Sequence, residues 1–322
     1  MFSSVEDIKN KIRKNTRKNT SYIHPVESYD YIAKLVSAYS NSQGGDIIFG
    51  VKDEGERLRV EKYPFQFKMK KLYDLLEGNA KVESSYFRID SKNLYYISVE
   101  KSSDLIKVNN TPYIFDKKGN FKKMKIVKVF ISYAHKDRDL VNIIEESFQN
   151  YKNINLTRDI YATKYKDSLD NFMKTIREHD YVISIVSSAY IKSLNCMYEI
   201  ENLMKDREYE DKLFFIVVGK EDIGYYNKAN IYLDFEAGIY DLNKRLQYIA
   251  YWRSKQEELH KNIKEATLPP ESMQNISKDM RKLDAIIPSM DDFISLLSDK
   301  VGRTFDEMYK SNFQEILSTL DI

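Results

Sequence analysis

Two spacings of apolar residues organise this chain, and the places where one gives way to the other mark its elements. From Asp180 to Glu201 the sequence DYVISIVSSAYIKSLNCMYEIE makes that change once. Tyr181, Val182, Ile183, Ile185 and Val186 form a nearly continuous apolar run, the pattern of a parallel strand covered on both faces. Ser187, Ser188 and Ala189 then leave the sheet at its carboxyl end, where open α/β sheets place their ligands, and a helix follows around Cys196–Met204. Upstream, KIVKVFISY at 125–133 predicts a strand, Ala134–Asp137 a loop with Asp137 placed to cap a helix, and Leu140, Val141, Ile143, Ile144 and Phe148 recur at helical spacing. Ile154–Arg158 reads as a strand, DIYATKYKDS as a polar loop, Leu169–Ile176 as a helix and Lys212–Val218 as another strand. Regular strand–helix alternation argues for a parallel sheet with right-handed crossovers.

The first 122 residues carry a different pattern. A polar, basic helix is expected from Val5 to Arg17, and Ser28–Asn41 carries Tyr29, Ile32, Ala33, Leu35, Val36 and Tyr39 at helical spacing. That helix ends in SNSQGG, where Gly44 and Gly45 permit a sharp turn into a strand at Asp46–Val51. KDEGE at 52–56 is its exit turn. Asn93–Val99 alternates like a strand, and TPYIFDKKGNF reads as a hairpin with Lys118, Gly119 and Asn120 at the tip.

The change of pattern divides the chain into two domains, 1–122 and 125–322, each long enough for its own core. Charge sharpens the division: the net charge of +2 hides 23 Lys+Arg against 16 Asp+Glu in residues 1–124, and 28 against 33 in the remainder. The basic excess peaks in KNKIRKNTRK, where Lys9, Lys11, Arg13, Lys14, Arg17 and Lys18 suit either a solvated helix face or an arm that contacts phosphates. A composition 42% hydrophobic and 31% charged predicts a folded protein, with 25 Tyr and 16 Phe serving cores and interfaces. The single Cys196 excludes an internal disulfide and a thiolate metal cluster, and it reads as a small buried hydrophobe. No ligand-spaced histidines point to a metal site, and His135 and His179 are expected at the surface. No charged-then-apolar leader and no long apolar run appear, so a soluble, cytoplasmic protein without membrane contact is expected.

Two resemblances follow from these residues. AYSNSQGGDIIFGVKDEG, with ISVEKSSDLIKVNNTPYIFDKKGNF, resembles the Schlafen AlbA-type domain, some of whose members bind nucleic acid or cleave RNA with clustered acidic residues. That cluster is not found here, since Glu27 stands alone, and Gly44-Gly45 lacks the Lys-Ser/Thr that would make a P-loop. VFISYAHKD, the order of elements through RDIYATKYKDSLDNFMKTIREHDYVISIVSSAYIKSLNC, and CMYEIE resemble a TIR domain of the bacterial type; YWRSKQEELHKNI at 251–263 is similar to the helical region of such proteins. The fold implied is α/β: a flavodoxin-like TIR domain, its parallel sheet covered by helices on both faces and followed by a helical tail, after a smaller α+β Schlafen AlbA-like domain.

Many TIR domains of bacteria and plants break the nicotinamide–ribose bond of NAD+. Nicotinamide leaves NAD+ as a neutral base, so no general acid is required, and one carboxylate suffices to steady the ribosyl cation, where ordinary glycosidases need two. The resemblance assigns that role to Glu199. It also implies that Phe130, Ser132 and Tyr133 line the nicotinamide side, that Arg158 and Asp159 open the long loop gating the site or touching a neighbouring protomer, and that Ser187 faces the same crevice. By the same resemblance NAD+ is a substrate rather than a cofactor, and homo-oligomers form through TIR–TIR or N-terminal contacts. Asn195 stands where several catalytic members carry Trp, leaving Trp252 or a tyrosine to stack on substrate. Three readings stay open: an NAD+-cleaving enzyme of antiphage defence, yielding ADP-ribose or a cyclic messenger for a separate effector protein; a non-catalytic TIR scaffold; and a nucleic-acid-binding protein led by its first domain, which in the enzyme reading senses a nucleic-acid or phage-derived trigger.

Overall fold

A five-stranded sheet with strand order 2-1-3-4-5 underlies the second half of the chain. The computed structural model describes residues 3–24, 27–55, 57–61, 66–89, 91–116, 118–158, 176–227, 234–265 and 270–320, and its contacts separate into two units, Met1–Lys125 and Ile126–Ile322. Elements are numbered along the chain. The first unit holds α1 (Val5–Arg13), β1 (Thr20–Ile23), α2 (Tyr29–Asn41), β2 (Gly45–Phe49), β3 (Val51–Asp53), β4 (Leu58–Val60), α3 (Met69–Tyr73), β5 (Leu76–Glu77), β6 (Val82–Ile89), β7 (Lys92–Val99), β8 (Lys107–Val108), β9 (Thr111–Phe115) and β10 (Phe121–Lys123). The second holds β11 (Val127–Ser132), α4 (Arg138–Phe148), β12 (Ile154–Arg158), β13 (Tyr181–Val186), α5 (Ser188–Ile191), α6 (Leu194–Met204), α7 (Tyr209–Lys212), β14 (Leu213–Val217), α8 (Leu242–Glu265), α9 (Pro270–Asp299), β15 (Arg303–Thr304), α10 (Phe305–Lys310) and α11 (Gln314–Thr319).

In the second unit the order β12-β11-β13-β14-β15 is all parallel, which is the flavodoxin-like arrangement, with its reversal of strand order between β11 and β13. Alternation along each strand feeds two apolar layers. Val127, Val129 and Ile131 of β11 and Ile183 and Ile185 of β13 pack with α4, α10 and α11. Phe130, Val182 and Val186 pack on the other face with α6, α8 and α9. Burial on both faces is why the β13 run is apolar without a period of two. The helical tail supplies both layers and the short edge strand β15, an element with no apolar signature of its own. The expected helix at Leu169–Ile176 lies outside the described residues, apart from Ile176 itself.

In the first unit β1-β2-β7-β6 form a mixed sheet and β10-β9-β8-β5 a small antiparallel one. Helix α2 is capped by Ser28, whose hydroxyl accepts from the Tyr31 amide. The expected glycine turn has two separate causes. Gly44 adopts φ +75°, while at Gly45 a Cβ would strike the Tyr39 ring. The first helix is shorter than expected: it ends at Arg13, and Asn15 and Asn19 adopt positive φ before β1 begins. Positive φ is open to asparagine and breaks the helix where charge alone would have let it continue.

Candidate active site

Helix α6 starts at a Ser193 cap and turns Cys196, Glu199, Ile200 and Leu203 inward, at the spacing of one helix face. A glutamate in that row is out of place on apolar grounds, and only 5% of it is exposed. It is held by a hydroxyl: Ser132, the last residue of β11, donates to Glu199 Oε2. Ser132 is paired in register with Ser184 of β13, so two serines sit side by side across the point where strand order reverses. Tyr190, from α5, lies beneath them with its phenol oxygen 2.9 Å from Ser132 Oγ and 3.0 Å from Ser184 Oγ. Burial pushes the Tyr190 phenol well above its ordinary value; the nearby Cys196 and Glu199 raise it further, against the pull of the two serine hydroxyls. The result is a polar inlay in an apolar layer, at the carboxyl end of the sheet where such folds bind ligands.

The other residues expected at this site divide around it. Ser132 joins Glu199. Phe130 shares its face but is fully buried, its ring 5.5 Å from that of His179; it is a floor rather than a lining residue. Tyr133 alternates to the opposite side, into the layer with Leu140 and Ile144, and its carbonyl accepts from Cys196 Sγ at 3.4 Å. Ser187 caps α5, accepting from the Tyr190 amide at 3.0 Å, and donates to Asp137 Oδ2 at 2.5 Å. Arg158 is buried against α4, 3.0 Å from Glu145 and 3.1 Å from Asn142 Oδ1. Burial raises the Glu145 carboxyl above its usual range, and the Arg158 charge opposes that. Asp159 and the loop after it lie outside the described residues.

Three sequence expectations are corrected here. Asp137 makes no capping bond to α4; fully buried, it accepts from Ser187 and from the Tyr226 hydroxyl at 2.7 Å, tying three loops together. His179 is half-buried, with Nε2 2.8 Å from Thr157 Oγ1, while His135 is exposed as expected. Trp252 does not stand in for an aromatic at Asn195, because its indole is 2% exposed and donates to the Ile191 carbonyl at 2.9 Å. Ser184 and Tyr190 went unread in the sequence. The available signal was a serine inside an otherwise apolar run, at a position whose side chain must find a polar partner.

Comparison with known families decides what this unit is. The family model "TIR domain" matches residues 129–263. The second unit is a TIR domain. A Schlafen, AlbA_2 model matches residues 3–140; its last twelve residues overlap the TIR match, but β11 hydrogen-bonds into the TIR sheet and belongs there. No curated protein matches the chain. Among solved structures, the DIP2311 protein from Corynebacterium diphtheriae is similar over 40% of this chain and 29% of its own length, at 10% identity and a TM-score of 0.29, so the match spans under a third of that protein. No helix among the described residues is long and apolar enough to cross a membrane, and none of their His, Cys, Asp and Glu side chains cluster as a metal site would require.

Ahead of the TIR domain, the basic run of the Schlafen AlbA_2 region is largely engaged within its own unit. Helix α1 buries Ile8 and Ile12 and sends Lys11 to Asp46, a carboxylate 1% exposed that also accepts from Ser98 at 2.6 Å and Ser3 at 2.9 Å. Arg17 grips Asp53 through both guanidinium ends, at 2.5 and 2.8 Å, and this bond holds the Asp53 carboxyl below its usual range. Lys9 and Arg13 lie 3.9 and 3.8 Å from Glu6. Lys14 and Lys18 are exposed. Lys18, with Arg17, Asn19, Thr20, Gly44, Phe115 and Asp116, borders a cleft of about 390 Å³.

Proposed function

We propose that the TIR domain cleaves the nicotinamide–ribose bond of NAD+, with Glu199 as the catalytic carboxylate. The observation that carries this reading is a buried glutamate, fixed by Ser132, at the reversal of strand order of a parallel sheet. As the bond between ribose C1′ and the pyridinium nitrogen breaks, its electron pair goes to nitrogen and nicotinamide departs neutral. The ribose is left as an oxocarbenium ion beside the Glu199 carboxylate, whose charge offsets it in a setting of low dielectric. Addition of water at C1′ gives ADP-ribose; attack by the dinucleotide's own adenine gives a cyclic product. The site requires no proton donor for the leaving group, which fits a single acidic residue.

We further propose that self-association of TIR domains activates the enzyme, that the Schlafen AlbA_2 region responds to the trigger, and that the setting is defence against phage. Purified protein at high concentration, incubated with NAD+, is expected to release nicotinamide, and Glu199→Gln to abolish the release while the fold is retained. Chromatography of the same sample separates linear from cyclic product. A second reading, a non-catalytic TIR scaffold, draws on the exposed Asn195 and the buried Trp252, which leave no indole exposed to stack on substrate. Intact NAD+ after incubation with assembled, folded protein would favour it.

A further inference from the structure

Strand β6 closes one side of the mixed sheet in the Schlafen AlbA_2 region, and among the described residues no strand pairs with its outer edge. It pairs with β7 without a bulge, from Val82 opposite Val99 to Ile89 opposite Lys92. The Glu100 amide donates to the Lys81 carbonyl at 3.0 Å, so the odd-numbered residues bond towards β7. Val82, Ser84, Tyr86 and Arg88 then turn their amides and carbonyls outward. Two exposed contacts agree: the Val82 carbonyl accepts from the Tyr73 hydroxyl at 3.4 Å, and the Tyr86 carbonyl from the Ser85 hydroxyl at 3.2 Å. Each carbonyl keeps a second lone pair. The amides of Ser84, Tyr86 and Arg88 meet no acceptor among the described residues. Folded proteins blunt such an edge with a short strand, a proline, a lysine or a bulge. The sheet's other edge, β1, is four residues long, and β10 is three residues long with Lys122 and Lys123. The eight residues of β6, VESSYFRI, have no such protection.

We propose that a second copy of this chain pairs its own β6 with this edge, antiparallel about a two-fold axis, joining two four-stranded sheets into one. With Tyr86 opposite Tyr86, Ser84 of each copy faces Arg88 of the other, and the outward amides of each copy meet outward carbonyls. Charge selects the direction. Glu83 and Arg88 are the strand's only charged residues and lie towards opposite ends; antiparallel pairing sets the acidic end beside the basic one, whereas parallel pairing in register would put like charges opposite each other. The centre of the strand favours the same occupant. Tyr86 is 52% exposed, yet its ring heads a row that runs 4.6 Å to Tyr95, 5.2 Å on to Phe67 and 4.8 Å on to Tyr29. A copy of Tyr86 across the axis extends that row, as aromatic cross-strand pairs do. The contact belongs to the Schlafen AlbA_2 region, so it goes beyond association of TIR domains and does not rest on cleavage of NAD+.

Amide exchange in the full-length chain, followed by NMR over about a hundredfold range of protein concentration, is the test. Exchange at Ser84, Tyr86 and Arg88 should slow at least about tenfold as concentration rises, while Glu83, Ser85 and Phe87, already bonded to β7, stay protected throughout. Sedimentation velocity should show a dimer forming over the same range. Tyr86→Lys, which sets a lysine at the middle of the edge, should weaken that dimer at least about tenfold. The Tyr86 hydroxyl also accepts from the Phe67 amide at 3.1 Å. Arg88→Pro leaves that bond in place, removes one outward amide, and should weaken the dimer as well. Circular dichroism checks that each variant keeps its fold. A dimer in which the three amides exchange freely, or which both folded variants leave intact, overturns the proposal, as does a chain that stays monomeric throughout. Protection of the three amides in the monomer also overturns it, because the edge is then covered from within the chain. Intact NAD+ in the same samples would defeat the enzymatic reading alone.

Discussion

Each unit of this protein buries a carboxylate beside serines, and the two are used differently. In the first unit Asp46 sits on β2 and accepts from Ser3, Ser98 and the ammonium of Lys11, so an ion pair locks α1 onto the sheet. In the second, Glu199 sits on a helix and meets the end of β11 through the hydroxyl of Ser132, with Tyr190 and Ser184 behind it. A charge matched by a charge is held for structure. A carboxylate met by a hydroxyl at the ligand end of a parallel sheet is where a functional group is expected, the role proposed above for Glu199.

Substitution at both positions sharpens that contrast, and the largest effects are expected here. Glu199→Gln should lower nicotinamide release by at least about a hundredfold, as removal of a preorganised electrostatic partner does. It should leave the denaturation midpoint within about 1 kcal/mol of wild type or above it, because a buried functional charge is held at some cost in stability. Asp46→Ala should do the reverse. It strands Lys11 and two serines and should cost the first unit about 3 kcal/mol by denaturant titration, at the lower end for broken buried pairs because Lys11 is about a quarter exposed. Equal stability losses at the two positions would erase the distinction.

The next effect belongs to the framework that brings the Glu199 face together. Ser187→Ala removes the cap of α5 and a proton donor to the buried Asp137, and should cost about 2 kcal/mol. Tyr226→Phe, which removes the other donor to Asp137, should cost about 1 kcal/mol. Thermal melting measures both, and neither touches Ser132 or Glu199.

How far the sequence discloses this arrangement depends on whether a residue obeys or breaks its local pattern. Three parallel strands were legible because burial on both faces demands apolar runs, and β11, β13 and β14 fall within a residue or two of where those runs predict; edge strand β12, with Asn155 exposed, lies at the expected Ile154–Arg158 without such a run. Edge strand β15 was not legible, since Arg303 and Thr304 join the sheet through their backbone, and no side-chain pattern accompanies such pairing. Glu199 was singled out by resemblance, and its burial follows from its row on α6, which CMYEIENLM shows to anyone who marks every third and fourth residue. Asp137 misled for a physical reason. An aspartate before a helix caps it by default, but two hydroxyls from distant loops, Ser187 and Tyr226, compete for its oxygens and win. The partners of the basic run were out of sight for the same reason, since Lys11 and Arg17 meet carboxylates tens of residues away that no local spacing reveals.

A smaller effect concerns pH. Asp234 accepts from Lys192 at 2.6 Å, Lys244 at 2.7 Å and Ser188 at 2.9 Å, joining the start of α8 to α5. Burial pulls its carboxyl upward, but these three donors outweigh burial and hold it well below its ordinary 3.8. Because the folded value is depressed, its contribution to stability is full above about pH 4 and is lost as pH falls further. Asp234→Asn should therefore flatten the acid limb of the stability curve below about pH 4 and cost about 1 kcal/mol at neutral pH, an exposed pair being worth no more.

The smallest effect returns to the first unit, and it separates charges that are used from charges that are free to act. Lys11 and Arg17 hold the fold together; Lys14 and Lys18 are exposed and, among the described residues, have no carboxylate partner. Lys14→Ala with Lys18→Ala should leave stability within about 0.5 kcal/mol, as surface changes away from any partner do. If this face meets the phosphates of a nucleic acid, the same double variant should weaken binding evenly across sequences. It should also reduce the slope of log affinity against log salt by about 0.9 for each phosphate of duplex DNA that is no longer neutralised. Replacing Lys11 instead should weaken the fold before it weakens binding. An unchanged salt slope in the double variant, with duplex and single-stranded probes alike, would assign the whole run to structure and solvation.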